Sequence, residues 1–247
     1  MADAAELAQI ERRRVVARVV QLENGAAGPF AHTAAGYKEL HRHLFQDVYE
    51  WAGKTRTVNM HRQDQREDGT LRRSHYIAVR FVDQGLHTAF DQLKPALPHL
   101  KAEARKEPSQ RNTRLVASVA AAHVGALNYV HPFRDGNGRA MRQRVQHLAS
   151  EAGLHLDQAK LDRAKWNEGS HRINADPKDG KLLTEAIAAA LVPRDRVLDR
   201  QRSAILGEPA QQAASQQNAV SAERGMRTTR QARRPRSRAH DDHDITD

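Results

Sequence analysis

The chain has 247 residues, of which 40 are lysine or arginine, 30 are aspartate or glutamate and none is cysteine. The lack of cysteine excludes a disulfide-stabilised scaffold, an iron–sulfur protein and a zinc site with cysteine ligands. The net charge of +10 indicates a polyanionic partner, with nucleic acid, a membrane surface or a nucleotide as candidates, although solubility alone would also explain it.

Residues 1–192 are predicted to be mostly helical, because their apolar residues recur at steps of three or four. The predicted helices cover residues 7–22, 37–51, 79–93, 115–127, 140–152 and 182–191. The longest apolar stretches fall short of the roughly 18 residues that a membrane helix needs, so we expect no membrane contact. The first residues contain Asp3 and Glu6 instead of an apolar segment, so we expect no secretory signal peptide.

A different pattern predicts a β-hairpin over about 56–73. Residues 56–60 alternate polar and apolar side chains, as a strand does. Asp68-Gly69 is a strong turn dipeptide, and residues 70–72 offer a return strand. A lone hairpin adds little to a helical core, so we expect it to serve recognition; an ordinary surface excursion is the alternative.

The most informative segment is residues 131–142, which lie between two predicted helices and read HPFRDGNGRAMR. Gly136 and Gly138 allow the backbone to approach a ligand closely. Their amides and that of Asn137 precede a helix, and a helix N-terminus is a ready anion site. Arg139 and Arg142 are three residues apart, so they project from one helical face toward that anion.

Two more residues of this segment suit phosphate chemistry. Asp135 is a hard oxygen ligand, and a carboxylate beside phosphate oxygens is the usual way to hold Mg²⁺. A histidine in the position of His131 suits proton transfer near neutral pH. Each residue alone has a structural explanation, such as a helix cap for Asp135. The ordered set instead predicts phosphoryl or nucleotidyl transfer to a hydroxyl group.

Residues 131–142 resemble, at every specified position, the motif His-x-Phe-x-(Asp/Glu)-Gly-Asn-Gly-Arg-x-x-Arg of the Fic-domain protein adenylyltransferases. Residues 41–59 also resemble the helix and flap strand that precede the core of these proteins. The resemblance covers roughly 1–192, and it implies an all-α Fic fold with a β-hairpin flap, about 56–73, beside the active site. A helical extension or linker is expected at 193–206.

The resemblance implies that AMP is transferred from ATP to a Ser, Thr or Tyr hydroxyl of a target protein. His131 is then the catalytic base and Asp135 the Mg²⁺ ligand. The implied ATP- and phosphate-binding residues are Arg134, Gly136, Asn137, Gly138, Arg139 and Arg142, with the Asn137 side chain on the α-phosphate. The implied target-docking residues of the flap are Val58, Asn59, Met60, Thr70 and Leu71.

Regulation is predicted from a motif that the chain lacks. Many Fic proteins carry an inhibitory helix with Ser/Thr, three residues, Glu and then Gly/Asn. Here the only such Glu residues, Glu23 and Glu168, follow Val19 and Ala164 by four positions. The resemblance therefore implies a toxin-like subgroup, inhibited by a separate small antitoxin whose Glu reaches Arg142. A divergent inhibitory helix within 1–30 is the competing hypothesis.

The C-terminal tail lies outside the resemblance. From Arg194 onward the chain contains 11 arginines and 8 acidic residues, so most of the net charge lies in the preceding body. Residues 207–247 contain few apolar residues, and we predict them to be a disordered, Arg-rich tail with an acidic end. Nucleic acid is a candidate partner for this tail only; a solvated tail without a fixed partner is the alternative.

Other functions stay open at this point. The protein would be a cytoplasmic toxin, or an effector delivered to another cell without a signal peptide. It would transfer AMP, or a different phosphate-containing group; Gly138 argues against a kinase-like branch that has Lys there. A nucleotide- or nucleic-acid-binding module that uses the basic tail is the non-enzymatic alternative. The resemblance suggests the ATPase subunit of a type II topoisomerase as the target.

Overall fold

The computed structural model describes residues 4–65, 71–195 and 197. The helices are α1 (Ala4–Glu23), α2 (Ala34–Phe45), α3 (Val82–Leu93), α4 (Leu97–Ala104), α5 (Thr113–Val130), α6 (Asn137–Glu151), α7 (Arg163–Ala175) and α8 (Lys181–Ala190). The strands are β1 (His61–Gln65), β2 (Leu71–His75), β3 (Leu154–Leu156) and β4 (Leu191–Pro193). The predicted helical fold with a β-hairpin is confirmed.

Helix α5 forms the centre of the core. It packs against α3, α6, α7 and α8. Its sequence is rich in alanine, and Ala117, Ala120 and Ala121 are almost fully buried, which lets neighbouring helices approach closely. Asn112 caps its first turn by accepting a hydrogen bond from the Leu115 N–H at 2.9 Å. This rigid helix leads directly into the loop that carries His131.

The flap is a two-stranded antiparallel sheet, but its first strand lies later in the chain than predicted. The pairing of β1 with β2 runs from His61 opposite His75 to Gln65 opposite Leu71. The predicted strand at 56–60 is therefore wrong. Those residues have irregular backbone, with Arg56 buried and bonded to backbone carbonyls and Val58 exposed, so the alternation of polar and apolar residues does not mark two faces of a strand.

Helix α2 ends earlier than predicted. The apolar spacing predicted a helix through residue 51, but α2 stops at Phe45 and turns follow. The Tyr49 ring stacks between Phe45 and Trp51, with ring centroids 5.6 and 4.3 Å away. These aromatic residues therefore pack on one another although they lie in turns. Their spacing along the sequence is the same as that of a continuing helix, so the periodicity predicted one.

Three features were not predicted. Helix α4 has only eight residues, too few for a clear periodicity, and α7 has few apolar residues. The first turn of α7 is capped by Asp162, which accepts from the N–H groups of Ala164 and Lys165. A second small sheet pairs β3 with β4, from Leu154 opposite Pro193 to Leu156 opposite Leu191. Segments of three residues are too short to carry a strand periodicity.

One compact unit ends at Arg196. The predicted tail at 207–247, and most of the predicted linker at 193–206, lie outside the described residues. Within the part of the chain that the structure describes, no helix combines the length and apolarity needed to cross a membrane.

Candidate active site

His131 begins the loop between α5 and α6 in a strained conformation. Its φ and ψ angles of 43° and 62° place it in the left-handed region, and its N–H donates to the Leu127 carbonyl at 2.9 Å. It is the one non-glycine residue with a positive φ in the described ranges. Such strain costs on the order of 1 kcal/mol or more, and it persists where the surroundings enforce it, often at functional sites.

Two neighbours enforce this conformation. The Arg56 side chain donates from Nε to the His131 carbonyl at 2.9 Å, and the Arg56 N–H donates to the Pro132 carbonyl at 2.7 Å. The Tyr76 ring stacks on the His131 imidazole with centroids 3.8 Å apart and planes 13° from parallel. The backbone and the ring of His131 are therefore both held.

The middle of the loop is anchored in the core. Phe133 is fully buried, and its ring stacks on the His41 ring with centroids 3.7 Å apart. The buried Asn137 carboxamide accepts from the Phe133 N–H at 3.0 Å and donates to the Phe133 carbonyl at 2.7 Å. This pairing gives the Asn137 side chain a loop-shaping role that the sequence did not reveal; its contact with the α-phosphate stays a prediction.

His41 holds the next corner of the loop. Its Nδ1 accepts from the Gly53 N–H at 3.0 Å, so the ring proton lies on Nε2, which donates to the Asp135 carbonyl at 3.0 Å. Burial, with the nearby Arg139 charge, lowers the pKa of His41 to about 4. The imidazole is therefore neutral near pH 7, as this bonding pattern needs.

The two glycines of the loop have different surroundings. Gly136 has a φ of 79°, and a Cβ built on it would lie 2.5 Å from the Phe45 ring. A Cβ on Gly138 would lie 3.7 Å from Arg142 Nη1, and it meets no other atom within 4 Å. Gly136 is therefore required by the fold, whereas Gly138 borders an open space in which an additional atom would occupy ligand volume.

Helix α6 begins at this open space. Its first intrahelical bond runs from the Ala140 N–H to the Gly136 carbonyl at 2.9 Å, so the earlier N–H groups have no partner within the helix. These donors lie at the positive end of the helix dipole, which favours an anion, whereas the Gly136 N–H donates to Asp135 Oδ1. Anion binding at this helix start stays a prediction.

Arg139 and Arg142 extend from the first turns of α6 and line one groove of about 560 Å³ beside α1. The Arg139 guanidinium lies over the Phe45 ring at 4.6 Å and pairs with the Glu11 carboxylate. Burial, and the charges of Arg163 and Arg139, lower the pKa of Arg142. The structure thus brings both predicted phosphate ligands to one groove.

Asp135 presents its carboxylate to solvent beside this anion site. Its side chain is 65% exposed and Oδ1 lies 3.8 Å from Arg139 Nη2. The Tyr49 hydroxyl donates to Oδ2 at 3.3 Å. An exposed, oriented carboxylate next to the predicted phosphate site has the donor type that a magnesium ion takes, since this ion prefers oxygen ligands and keeps several of its waters.

The other predicted site residues are Arg134 and the residues of the flap. Arg134 is exposed and lies over the Trp51 ring at 5.5 Å, so the structure does not group it with Arg139 and Arg142. Val58 is 59% exposed, and Asn59 Oδ1 accepts from the Val79 N–H at 2.8 Å. Met60 precedes β1 and Leu71 begins β2, whereas Thr70 lies outside the described residues.

A second cluster of potential metal ligands has the wrong donor arrangement. His32, His147 and Glu151 place ligand atoms within 4.8 Å of one another. The Arg144 guanidinium donates to Nδ1 of both histidines, so the ring protons lie on the Nε2 atoms that face Glu151. A neutral imidazole in this state offers no lone pair to a metal, and the cluster is a polar network around a buried arginine.

Part of the chain matches a known protein family. The Fic/DOC family model matches residues 32–149. The protein adenylyltransferase VbhT of Bartonella schoenbuchensis is 35% identical over 133 residues, which are 54% of this chain and 24% of that protein. The probable protein adenylyltransferase y4lH of Sinorhizobium fredii is 32% identical over 137 residues, 56% of this chain and 60% of that protein. The match therefore spans less than two thirds of either relative.

Solved structures share the fold. The BepC effector of Bartonella tribocorum, with bound AMPPNP, aligns with a TM-score of 0.59 and 22% identity over 78% of this chain and 90% of that one. An ADP-bound N-terminal Fic domain from Bartonella quintana aligns with a TM-score of 0.62 and 19% identity, over 80% and 90% of the two chains. The Fic/DOC family model thus matches residues 32–149 of this chain, and the solved structures show that the chain has the Fic fold.

Proposed function

We propose that this protein transfers AMP from ATP to a hydroxyl side chain of a target protein. The observation that carries the proposal is the loop between α5 and α6. It joins a strained, fixed histidine, an exposed carboxylate and a helix N-terminus with two arginines. Both similar proteins described above are named as adenylyltransferases, which supports the same activity here.

The phosphates of ATP would bind at the start of α6. Unpaired N–H groups receive the α-phosphate, and the guanidinium groups of Arg139 and Arg142 hold the outer phosphates. Asp135 would hold Mg²⁺, which supplies charge neutralisation on the phosphates. Because Gly138 leaves space, the backbone can lie directly against the nucleotide.

His131 would act as the general base. The target hydroxyl gives its proton to the imidazole as its oxygen bonds to the α-phosphorus. The bond between that phosphorus and the oxygen that bridges to the β-phosphate breaks, and pyrophosphate leaves. The α6 N–H groups stabilise the negative charge that builds on the α-phosphate oxygens. The proton then passes from His131 to solvent.

The flap would hold the target segment beside His131. An extended peptide can add to the exposed edge of a two-stranded sheet through main-chain hydrogen bonds. Val58 supports this role, since its side chain is exposed although it is apolar. Of the candidate targets, the ATPase subunit of a type II topoisomerase follows only from the resemblance, and it should be tested as a purified substrate.

The transferred group can be identified by labelling. Purified protein is incubated with a cell lysate, Mg²⁺ and ATP radiolabelled at either the α- or the γ-phosphate. Label on protein from the α-position alone supports AMP transfer, and label from the γ-position alone would show a kinase activity instead. A phosphate-containing donor other than ATP is detected by mass spectrometry of the modified protein.

Inhibition by a separate antitoxin is also part of the proposal. Helix α1 is fixed to the segment after α2 by a two-pronged Arg18–Asp47 pair with both contacts at 2.7 Å. The groove beside it is lined by α1 valines, including the exposed Val16 and Val20, and by Arg139 and Arg142. An amphipathic helix with a glutamate at one end fits such a groove.

The competing in-cis contact is Glu11, which pairs with Arg139 and not with Arg142. The two hypotheses differ in the activity of the isolated protein. If a partner inhibits, the purified chain is active, and the Glu11→Gln variant changes its rate little. If α1 itself inhibits, the purified chain is slow, and Glu11→Gln accelerates it strongly, whereas the control Glu6→Gln does not.

A further inference from the structure

We propose that Arg56 is a positioning residue that ties both ends of the flap to the backbone of His131. In this arrangement, docking a target on the flap and aligning the general base depend on one buried side chain. The inference deepens the proposed AMP transfer and relies on it for its kinetic consequences. Its structural part is the set of hydrogen bonds from Arg56 to the backbone, which we call the clamp. The clamp can be tested without any catalytic activity.

The guanidinium of Arg56 donates to carbonyl groups from three segments. Nε reaches the His131 carbonyl at 2.9 Å, and Nη1 reaches the Val58 carbonyl at 2.8 Å. Nη2 donates to the Ile77 carbonyl and, at 3.3 Å, to that of Val130. One side chain therefore joins the chain entering the flap, the chain leaving the flap and the end of α5.

Arg56 is a buried cation whose side chain donates, among the described residues, to backbone carbonyl groups. It is 2% exposed, and none of the ion pairs formed by described residues includes it. Burial lowers the pKa of its guanidinium. A buried guanidinium is destabilising unless its N–H groups are hydrogen-bonded, and four backbone carbonyls accept from this one. The carbonyl groups that it organises give a reason for its presence.

Further contacts connect the flap to His131. The Ile77 N–H donates to the Tyr129 carbonyl at 3.0 Å. Tyr76, one residue earlier, stacks on the His131 ring at 3.8 Å. The Arg56 bond to Ile77 thus fixes the backbone that carries the stacking Tyr76. Loss of that bond should release the orientation of the His131 ring as well as the flap.

The phosphate site should be independent of this clamp. Its loop corner is held by His41 through the Asp135 carbonyl, and Asn137 holds Phe133. None of these bonds involves Arg56. Loss of Arg56 should therefore reduce the chemical step and target binding while ATP binding persists, which is a pattern that general unfolding would not produce.

The kinetic test uses Arg56→Met, which keeps the length of the side chain, and Arg56→Lys, which keeps its charge. Arg80→Met is the matched control, because Arg80 is exposed after the flap and lies over the Phe81 ring at 4.8 Å. We expect Arg56→Met to lower kcat by roughly 100-fold, in line with a misplaced reacting group. KM for the target should rise, and KM for ATP should change less than about twofold.

Arg56→Lys should recover part of kcat, since an ammonium donates to some of the same carbonyls but lacks the planar fork. Arg80→Met should behave as the wild type. Equal kcat and target KM in the wild type and both Arg56 variants would overturn the proposal. So would a parallel loss of ATP affinity in Arg56→Lys, because the effect would then not be confined to the clamp.

Amide hydrogen exchange tests the clamp without catalysis. In Arg56→Met, the amides of Ile77 and His131 should exchange at least about tenfold faster than in the wild type, while amides at 116–124 in α5 keep their protection. Unchanged exchange at Ile77 and His131 would refute the clamp. If Arg56→Met does not fold, Arg56→Lys decides by the same criterion. If the wild type transfers no AMP, the proposed function fails. Amide hydrogen exchange then remains as the test of the clamp.

Discussion

The loop at 131–137 and the flap base at 56–60 both contribute to the candidate active site. The loop exposes a charged side chain, whereas the flap base exposes an apolar one. The loop hides Phe133 and Asn137, which are 0% and 3% exposed, and presents the Asp135 carboxylate. The flap base hides Arg56 and presents Val58, which is 59% exposed. The loop thus presents a polar group on an anchored backbone, whereas the flap base presents an apolar side chain, which suits the proposed contact with a target.

The largest expected difference is between alanine substitutions of the two loop glycines: one should lower the stability of the fold, and the other should lower ATP affinity. Gly136→Ala introduces a Cβ 2.5 Å from the Phe45 ring at a φ of 79°, so we expect a loss of about 3 kcal/mol in the free energy of unfolding. Gly138→Ala has no such clash, so its melting temperature should stay near that of the wild type. Its ATP affinity should fall by about tenfold. Thermal denaturation and ATP titration measure both effects.

Equal destabilisation by the two glycine variants would contradict the assigned difference between a structural and a ligand-facing glycine. Unchanged ATP affinity in Gly138→Ala would show that the open space beside Arg142 is not occupied by the nucleotide.

Removal of His41 should disturb the loop without touching the flap. His41→Leu leaves the Gly53 N–H and the Asp135 carbonyl without their partner, which costs about 1–3 kcal/mol in unfolding free energy. The affinity for ATP in the presence of Mg²⁺ should fall, because Asp135 loses its support. The control is His87→Leu, at an exposed position on α3. Denaturant unfolding and ATP titration with Mg²⁺ would test this; similar results for both variants would contradict it.

Acid should destabilise the folded protein through its buried histidines. Burial lowers the pKa of His41 and His147 to about 4, and it lowers that of His32 as well. The unfolded chain, with histidine pKa values near 6.5, then binds more protons than the folded one between about pH 6.5 and pH 4. Stability is therefore complete above about pH 6.5 and falls as the pH decreases toward 4, by a few kcal/mol in total.

Urea unfolding at pH 7 and pH 5 measures this dependence. The variant His147→Gln should flatten it, because one proton-binding group is removed from the unfolded chain. A stability that is equal at the two pH values, or higher at pH 5, would contradict the assignment of neutral buried histidines.

The flap should show the smallest effects. Val58→Ser removes an exposed apolar side chain, so the melting temperature should hardly change. If Val58 contacts the target, KM for the target should rise by a few-fold while KM for ATP stays constant. Steady-state kinetics would measure both constants. An increase in KM for ATP would place Val58 in the nucleotide site instead.

The position of the loop between two helices was predicted well, because the residues of its motif are contiguous. Residues 131–142 contain the histidine, the carboxylate, the glycines and the arginines, and the structure places them at one helix start. The flap was predicted less well, since Arg56 mimics a polar position of a strand although it is buried.

The supporting residues had no sequence signal. His41 contacts Asp135 across 94 residues, and Arg56 contacts His131 across 75 residues. Both donate to backbone carbonyls, which every residue possesses, so neither partner is marked by its side chain. A histidine within the apolar stripe of α2 was the only hint of the first contact. Glu11 likewise meets Arg139 only because α1 lies beside α6 in the fold.

The role of His131 is the centre of this account, and one comparison tests it most directly. Wild type and His131→Ala are incubated with Mg²⁺, a target lysate and ATP radiolabelled at the α-phosphate, and ATP binding is measured in parallel. We expect labelled protein with the wild type, at least about 100-fold less with His131→Ala, and similar ATP affinity for both. Equal labelling by the two proteins would contradict the assignment of His131 as the general base.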